Sequence, residues 1–125
     1  MAKFTGSRAF VVEDETLVLF SLEDVLSDLG CEVVAQAMRL DQAIAVAETL
    51  GPVDVAILDV NIGGTTVFPV AQILKERGVP LVFATGYGRE GLPPEWQDHA
   101  VIVKPYSLQD IERALTPLLA GHIGE

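Results

Sequence analysis

The chain contains 125 residues with a formal net charge of −10, and half of its residues are apolar. This length accommodates one domain with its own core, and the composition excludes an intrinsically disordered chain. The acidic balance argues against direct contact with nucleic acid, and a single cysteine excludes an internal disulfide. Because neither a signal peptide nor an apolar stretch that could span a bilayer is recognisable, we predict a cytoplasmic protein that does not bind membranes.

Five short apolar segments, rich in β-branched residues, predict buried β-strands. They comprise residues 9–12, 32–35, 53–58, 80–84 and 100–103. Nearly continuous apolar strands are typical of a parallel sheet covered on both faces. The segments between them should therefore include helices that pack on the sheet.

Helical periodicity marks the first two connections. An apolar stripe from Val18 to Leu29 predicts the first helix, with Gly30 as its C-terminal cap. The second helix should begin at Asp41 as its N-cap, because a carboxylate there can accept from the free backbone amides of the first turn.

Two further helices follow the third and fifth strands. The third should start near Thr65 or Thr66, and the last should open with Ser107 and Asp110 as a capping box. Pro117 should shorten or bend that last helix, because proline removes a helical hydrogen bond.

The connection between the fourth and fifth strands differs from the others. Two glycines and two prolines among residues 88–96 oppose a regular helix, and only a short turn from Pro94 onward is expected. Leu92 and Trp96 are its apolar anchors. We therefore predict a segment that is mobile at rest, with Trp96 as a packing anchor for the loop.

The alternation of strands and helices predicts an α/β, flavodoxin-like three-layer fold. Its five-stranded parallel sheet should have the order 2-1-3-4-5, and its fourth helix should be reduced or irregular. The expected organisation is a single domain over residues 1–125, with a core at about 8–120 and no output domain.

Polar residues follow four of the predicted strands at the point where each strand ends. Each has an ordinary structural explanation by itself, such as a helix cap or a turn. Together they indicate one site, because the carboxyl ends of parallel strands meet at the same edge of the sheet. They are Glu13 and Asp14 after strand one, Asp59 and Asn61 after strand three, Thr85 after strand four and Lys104 after strand five.

This set of residues favours phosphoryl-transfer chemistry. Clustered carboxylates repel one another, which is costly unless a hard divalent cation such as Mg²⁺ lies among them. Asp59 can act as a nucleophile towards phosphorus, and the groups of Thr85 and Lys104 can neutralise phosphoryl oxygens. Asn61 can offer its backbone carbonyl to the cation.

In these motifs the chain resembles, from residue 10 to 119, the receiver domains of two-component response regulators. The resemblance implies that Asp59 is the phosphoacceptor and takes a phosphoryl group from a histidine kinase or a phosphotransfer protein. It implies that Thr85 and Lys104 bind that group and that the Lys104-Pro105 bond is cis.

The resemblance also implies a metal site for Mg²⁺. Asp14 and Asp59 would bind the ion directly, Glu13 would act through water, and Asn61 would contribute its carbonyl. Such a domain catalyses only its own phosphorylation and dephosphorylation, so we do not expect an enzyme.

Residues 80–88, with the sequence PLVFATGYG, resemble the motif of the FAT-GUY receiver subfamily. That resemblance implies a kinase of the HWE or HisKA2 type. The chain departs from many receivers in carrying Val101 where they have an aromatic switch residue. Tyr87 is a candidate replacement, and the alternative is a partly buried position in the wall of the site.

Several functions are compatible with these residues. The first is a signalling switch that acts through a protein partner, and the alternative within this class is a phosphorelay intermediate or phosphate sink without its own output. A small-molecule aspartyl-phosphate hydrolase is the second function, but such enzymes commonly use a second acid two residues after the first. This chain has Asn61 at that position and lacks the acid. A degenerate scaffold is disfavoured because Asp59, Thr85 and Lys104 are all present.

Overall fold

The computed structural model describes residues 2–119 and contains a five-stranded parallel sheet. Its strands are β1 (Arg8–Val12), β2 (Glu32–Ala37), β3 (Val55–Asp59), β6 (Leu81–Thr85) and β7 (Ala100–Val103). A short antiparallel hairpin, β4 (Asn61–Ile62) and β5 (Thr65–Thr66), follows β3. The sheet order is β2-β1-β3-β6-β7, which is the predicted 2-1-3-4-5 order once the hairpin strands are left out of the count.

Helices cover both faces of the sheet and create two core layers. They are α1 (Thr16–Asp28), α2 (Leu40–Thr49), α3 (Phe68–Glu76) and α4 (Leu108–Leu115). Helices α2 and α3 pack on one face, and α1 and α4 pack on the other. Every residue of β3 and β6 is buried, as expected for central strands with helices on both sides. The predicted flavodoxin-like three-layer fold is therefore confirmed.

The expected ends of α1 and α4 are confirmed. Gly30 follows α1 with φ of 91°, and a side chain there would meet the backbone nitrogen of Thr5 at 2.8 Å. At α4, the amide of Asp110 donates to Ser107 Oγ at 3.1 Å, and the amide of Ser107 donates to Asp110 Oδ2 at 2.9 Å. The helix ends two residues before Pro117, as the proline predicts.

Two predicted helix starts are wrong. Helix α2 has Arg39 as its N-cap, and Asp41 lies inside the first turn, where its carboxylate accepts from the next amide at 2.8 Å. Helix α3 starts at Phe68 because Thr65 and Thr66 pair with β4 instead. The hairpin forms because the two residues of its turn, residues 63–64, are glycines with φ of 58° and 86°.

No regular helix lies between β6 and β7, as predicted. The connection contains two 3₁₀ turns, Arg89–Gly91 and Pro94–Trp96, so one more turn forms than the sequence suggests. Trp96 is buried and stacks on Phe68, with ring centroids 5.8 Å apart, which confirms it as the packing anchor. Arg89 Nη1 donates to the carbonyl of His99 at 2.7 Å. The C-terminal half of this loop is thus held to the body of the domain.

Within residues 2–119, no helix has both the length and the apolar character that crossing a bilayer requires.

Candidate functional site

The predicted site residues meet at the carboxyl edge of the sheet, where β1 and β3 lie side by side. They line an open cleft of about 530 Å³. Glu13 is the exception, because its side chain is buried with 1% of its surface exposed. The predicted residues in the lining are Asp14, Asp59, Asn61, Thr85 and Lys104.

Three carboxylates form the acidic part of the site. Glu13, Asp14 and Asp59 each place one oxygen within 4.8 Å of the other two. Around Mg²⁺, with ligand distances of about 2.1 Å, opposite oxygens are about 4.2 Å apart. Small side-chain adjustments would therefore let this set hold such an ion, and the hard oxygen donors suit it.

Lys104 connects two of these carboxylates. Its Nζ lies 2.8 Å from Asp59 Oδ2 and 3.3 Å from Glu13 Oε1. The backbone of Lys104 is fixed to the neighbouring strand, since its amide donates to the carbonyl of Thr85 at 2.9 Å. The Lys104-Pro105 bond is cis, as the resemblance implies. One ammonium group thus offsets part of the negative charge in the cleft.

Burial and mutual repulsion shift the ionisation of these groups. Burial, together with the negative charge of Asp59, raises the pKa of Glu13 to about 7. Burial also raises the pKa of Asp59, although the ammonium of Lys104 opposes this. Burial works to lower the pKa of Lys104, but its hydrogen bond and ion pair with Asp59 outweigh burial and raise it. Without a cation, this site therefore disfavours the simultaneous ionisation of Glu13 and Asp59.

The raised pKa of Glu13 makes the stability of the metal-free protein depend on pH. The folded protein binds the carboxyl proton of Glu13 more tightly than the unfolded chain does. The resulting contribution to the free energy of unfolding is therefore full below about pH 4.5 and is lost as the pH rises through about 7. Asp59 acts in the same direction, and Lys104 stays protonated over this range. We expect the free energy of unfolding of Glu13→Gln to exceed that of the wild type by on the order of 2 kcal/mol at pH 8. Near pH 5 the two free energies should be equal.

Denaturant unfolding in the presence of a chelator measures this difference at both pH values. An equal difference between variant and wild type at pH 5 and pH 8 would contradict the raised pKa of Glu13.

Thr85 is buried, and its Oγ1 accepts a hydrogen bond from the amide of Tyr87 at 3.1 Å. Tyr87 is among the residues that line the cleft, but it is 85% exposed, so only the expectation that it is partly buried is wrong. Gly91 lies against the base of Tyr87, where an added Cβ would approach the Cβ of Tyr87 to 2.7 Å. The glycine therefore occupies the space next to Thr85, and the tyrosine ring projects into solvent.

The sequence analysis missed one backbone group of the site. The amide of Gly63, in the turn of the hairpin, donates to Asp14 Oδ2 at 2.9 Å and orients that carboxylate. The consecutive glycines at 63–64 were the available signal, because two such residues between short β-compatible segments are typical of a hairpin turn.

The comparison with known families agrees with this geometry. The sequence model described as "Response regulator receiver domain" matches residues 9–116. The chain belongs to this family. It is a receiver domain of the kind that two-component signalling uses.

Two curated relatives are longer than this receiver. The transcriptional regulatory protein PdtaR of Mycobacterium tuberculosis is 30% identical over 112 residues, which are 86% of this chain and 54% of PdtaR. The phyllosphere-induced regulator PhyR of Methylorubrum extorquens is 25% identical over 122 residues, or 95% of this chain and 46% of PhyR. The chain thus spans about half the length of these relatives.

Solved structures show the same fold. The solution structure of SdrG from Sphingomonas melonis Fr1 has a TM-score of 0.78 and 38% identity, and the match covers 90% of this chain and 96% of SdrG. The receiver domain of the sensor histidine kinase PA1611 from Pseudomonas aeruginosa, solved with a magnesium ion in its active-site cleft, has a TM-score of 0.76 at 19% identity. That match covers 93% of this chain and 99% of the PA1611 domain.

Proposed function

We propose that this receiver is a phosphorylation switch in which Asp59 accepts a phosphoryl group in a Mg²⁺-dependent reaction. The observation that carries the proposal is the contact of Lys104 Nζ with Asp59 Oδ2 at 2.8 Å, inside a cleft that Thr85 and a second carboxylate, Asp14, also line. A carboxylate nucleophile, an ammonium group and a hydroxyl donor thus line one cleft.

In the proposed reaction, a carboxylate oxygen of Asp59 attacks the phosphorus of a phosphohistidine on the donor protein. The P–N bond breaks, the P–O bond of an acyl phosphate forms, and the imidazole leaves with the bonding electron pair and takes up a proton. Lys104 then donates to one phosphoryl oxygen and the hydroxyl of Thr85 donates to another. Hydrolysis of the acyl phosphate resets the site, so the domain catalyses only its own phosphorylation and dephosphorylation and is not otherwise an enzyme.

Asp14 and Asp59 would hold Mg²⁺ directly, Glu13 would act through a water, and Asn61 would offer its backbone carbonyl. The ion supplies positive charge to phosphoryl oxygens when it is bound. The three carboxylate oxygens within 4.8 Å support this assignment, and so does the magnesium ion in the cleft of the PA1611 receiver.

The partners in this proposal are proteins. The phosphoryl group comes from a histidine kinase or a phosphotransfer protein, and the phosphorylated domain binds a downstream protein in the cytoplasm. The net charge of −10 disfavours nucleic acid as a direct target. We propose that residues 9–116 act as one receiver unit, in keeping with the family match over these residues and with the match to 96% of SdrG. A relay intermediate or phosphate sink is the alternative use of the same chemistry.

We further propose membership of the FAT-GUY subfamily, with a kinase of the HWE or HisKA2 type as phosphodonor. The support is residues 80–88 and the irregular connection that follows them. Phosphotransfer rates from purified kinases of these types, compared with a kinase of another type, would measure this preference.

Intact-mass measurement after incubation with acetyl phosphate and Mg²⁺ tests the proposed function. We expect a gain of one phosphoryl group per chain, and no gain when a chelator removes the metal. Steady release of inorganic phosphate without an accumulating adduct would favour a hydrolase, and an unchanged mass would favour a scaffold. Adding a histidine phosphotransfer protein to the phosphorylated domain separates the relay from a terminal switch, because only a relay passes the group onward.

The loop of residues 86–97 is the element that phosphorylation should reorganise. Thr85 Oγ1 now accepts from the amide of Tyr87, and turning the hydroxyl towards a phosphoryl group removes that bond. Tyr87 contacts Gly91, so the change reaches the first 3₁₀ turn. The sequence predicts rapid exchange over residues 89–96, but the buried Trp96 anchors the C-terminal half of the loop. We therefore expect the amides of residues 89–92 to exchange rapidly at rest and more slowly after phosphorylation.

Hydrogen exchange followed by mass spectrometry measures this effect. Gly91→Ala should speed exchange in the resting state, because the new Cβ would overlap Tyr87, whereas Gly51→Ala is a matched control with nothing within 4 Å of the added group. Equal protection of the loop before and after phosphorylation would refute the coupling between Thr85 and the loop. It would not affect the assignment of Asp59 as the phosphoacceptor.

A further inference from the structure

Tyr106 is a partly buried residue next to the site that the proposed reaction does not use. It follows the Lys104-Pro105 bond, and its ring packs against the core layer beneath α1 and α4. Its hydroxyl oxygen is buried and has no hydrogen-bond partner among residues 2–119. A buried hydroxyl without a partner costs free energy, so its retention calls for a physical explanation.

The charges that act on this hydroxyl come from the catalytic cleft. Burial, and after it the negative charge of Glu13, raises the pKa of Tyr106 to about 12, so the hydroxyl keeps its proton at neutral pH and remains a donor. Lys104, Asp59 and Glu15 influence it less than Glu13 does. Glu15 is exposed to solvent, whereas Glu13 is buried, so donors on the protein matter more to its carboxylate than to that of Glu15.

At rest Glu13 has two such donors. The amide of Glu15 donates to Oε2 at 3.1 Å, and Lys104 Nζ lies 3.3 Å from Oε1. Lys104 is shared, because the same ammonium lies 2.8 Å from Asp59. A phosphoryl group on Asp59 would attract that ammonium to its own oxygens. Glu13 would then lose the donor at Oε1 while remaining buried.

We propose that Tyr106 is a positioning residue whose hydroxyl donates to Glu13 once Lys104 has turned to the phosphoryl group. Tyr106 is only two residues from Lys104, and its unpaired hydroxyl lies in the field of the carboxylate that loses a partner. The bond keeps Glu13 oriented in the activated site and supplies the partner that Tyr106 lacks at rest. This inference rests on the proposed function.

Carbon-13 labelling at Cζ of tyrosine gives a direct readout, because the chain contains two tyrosines. The variant Tyr87→Phe assigns the two signals. We expect the Tyr106 signal to shift when the wild type binds Mg²⁺ with beryllium fluoride, which imitates a phosphoryl group. The shift should be smaller in Glu13→Gln, because a neutral amide oxygen is a weaker acceptor than a carboxylate. A Tyr106 signal that does not move in the wild type would overturn the inference.

Binding affinity supplies the second readout. Tyr106→Phe removes only the hydroxyl, so its resting melting temperature should equal or exceed that of the wild type, while its affinity for beryllium fluoride should fall about five- to tenfold. Tyr87→Phe is the matched control and should bind like the wild type. In the Glu13→Gln background, the effect of Tyr106→Phe should shrink to about twofold or less.

An equal loss of affinity in both backgrounds would show that Tyr106 does not act through Glu13. Failure of the wild type to bind beryllium fluoride would instead overturn the proposed function, so the two failures are distinguishable.

Discussion

Asp59→Asn should abolish the mass gain from acetyl phosphate and leave the fold intact. An amide oxygen is not a competent nucleophile towards phosphorus. Among residues 2–119, no other carboxylate oxygen is paired to Lys104 as closely as Asp59 Oδ2, at 2.8 Å. The fold should tolerate the change because asparagine is nearly isosteric, and Lys104 keeps its contact with Glu13 at 3.3 Å. We expect no detectable adduct at any time of incubation.

The matched control is Asp28→Asn, which makes the same chemical change at an exposed position at the end of α1. It should be phosphorylated as the wild type is. Circular dichroism and thermal melting must show native folding of both variants. A mass gain in Asp59→Asn equal to that of the wild type would disprove the phosphoacceptor assignment, and peptide mapping would then identify the modified residue.

Asp14→Ala should weaken Mg²⁺ binding by roughly ten- to a hundredfold or more, since even residues that only support a metal ligand have effects of this size. Asp14 contributes one of the three clustered carboxylates and is oriented by the amide of Gly63. Phosphorylation by acetyl phosphate should fall in parallel at limiting Mg²⁺. Without metal, the variant should melt at a slightly higher temperature, because repulsion with Asp59 is relieved.

Calorimetric titration with Mg²⁺ measures the affinity. Glu15→Ala is the control, because it removes the same charge from the next residue, whose side chain is exposed and lies outside the three-carboxylate cluster. Its effect should be only about two- to threefold, from the weakened field of an exposed charge. If Glu15→Ala and Asp14→Ala weaken binding equally, Asp14 attracts the ion only through its charge and does not ligate it.

The sheet and the position of the site could be predicted from the sequence, because both depend on patterns that are local along the chain. Apolar runs such as residues 80–84 identify central strands without knowledge of their neighbours. The right-handed parallel topology then brings strand ends together, so Asp59, Thr85 and Lys104 were expected at one edge before their contacts were known.

The start of α3 could not be predicted in this way, because two local structures compete for Thr65 and Thr66. Both residues are acceptable helix caps, but the Gly63-Gly64 turn lets them pair with β4. The hairpin also places the Gly63 amide beside Asp14, 49 residues earlier in the chain. A prediction made from one short segment at a time does not include a contact with a residue so far away in the sequence.

The electrostatics of the site depended on the tertiary structure for the same reason. Lys104 and Asp59 are 45 residues apart, and their types alone do not reveal that Lys104 also reaches Glu13 or that Glu13 is almost fully buried. The exposure of Tyr87 and the unpaired hydroxyl of Tyr106 likewise follow from how the connections pack on the sheet. The sequence by itself determined which chemical groups stand at the strand ends. The tertiary structure decided the distances between them, their burial and hence their pKa values, because these depend on contacts between segments far apart in the chain.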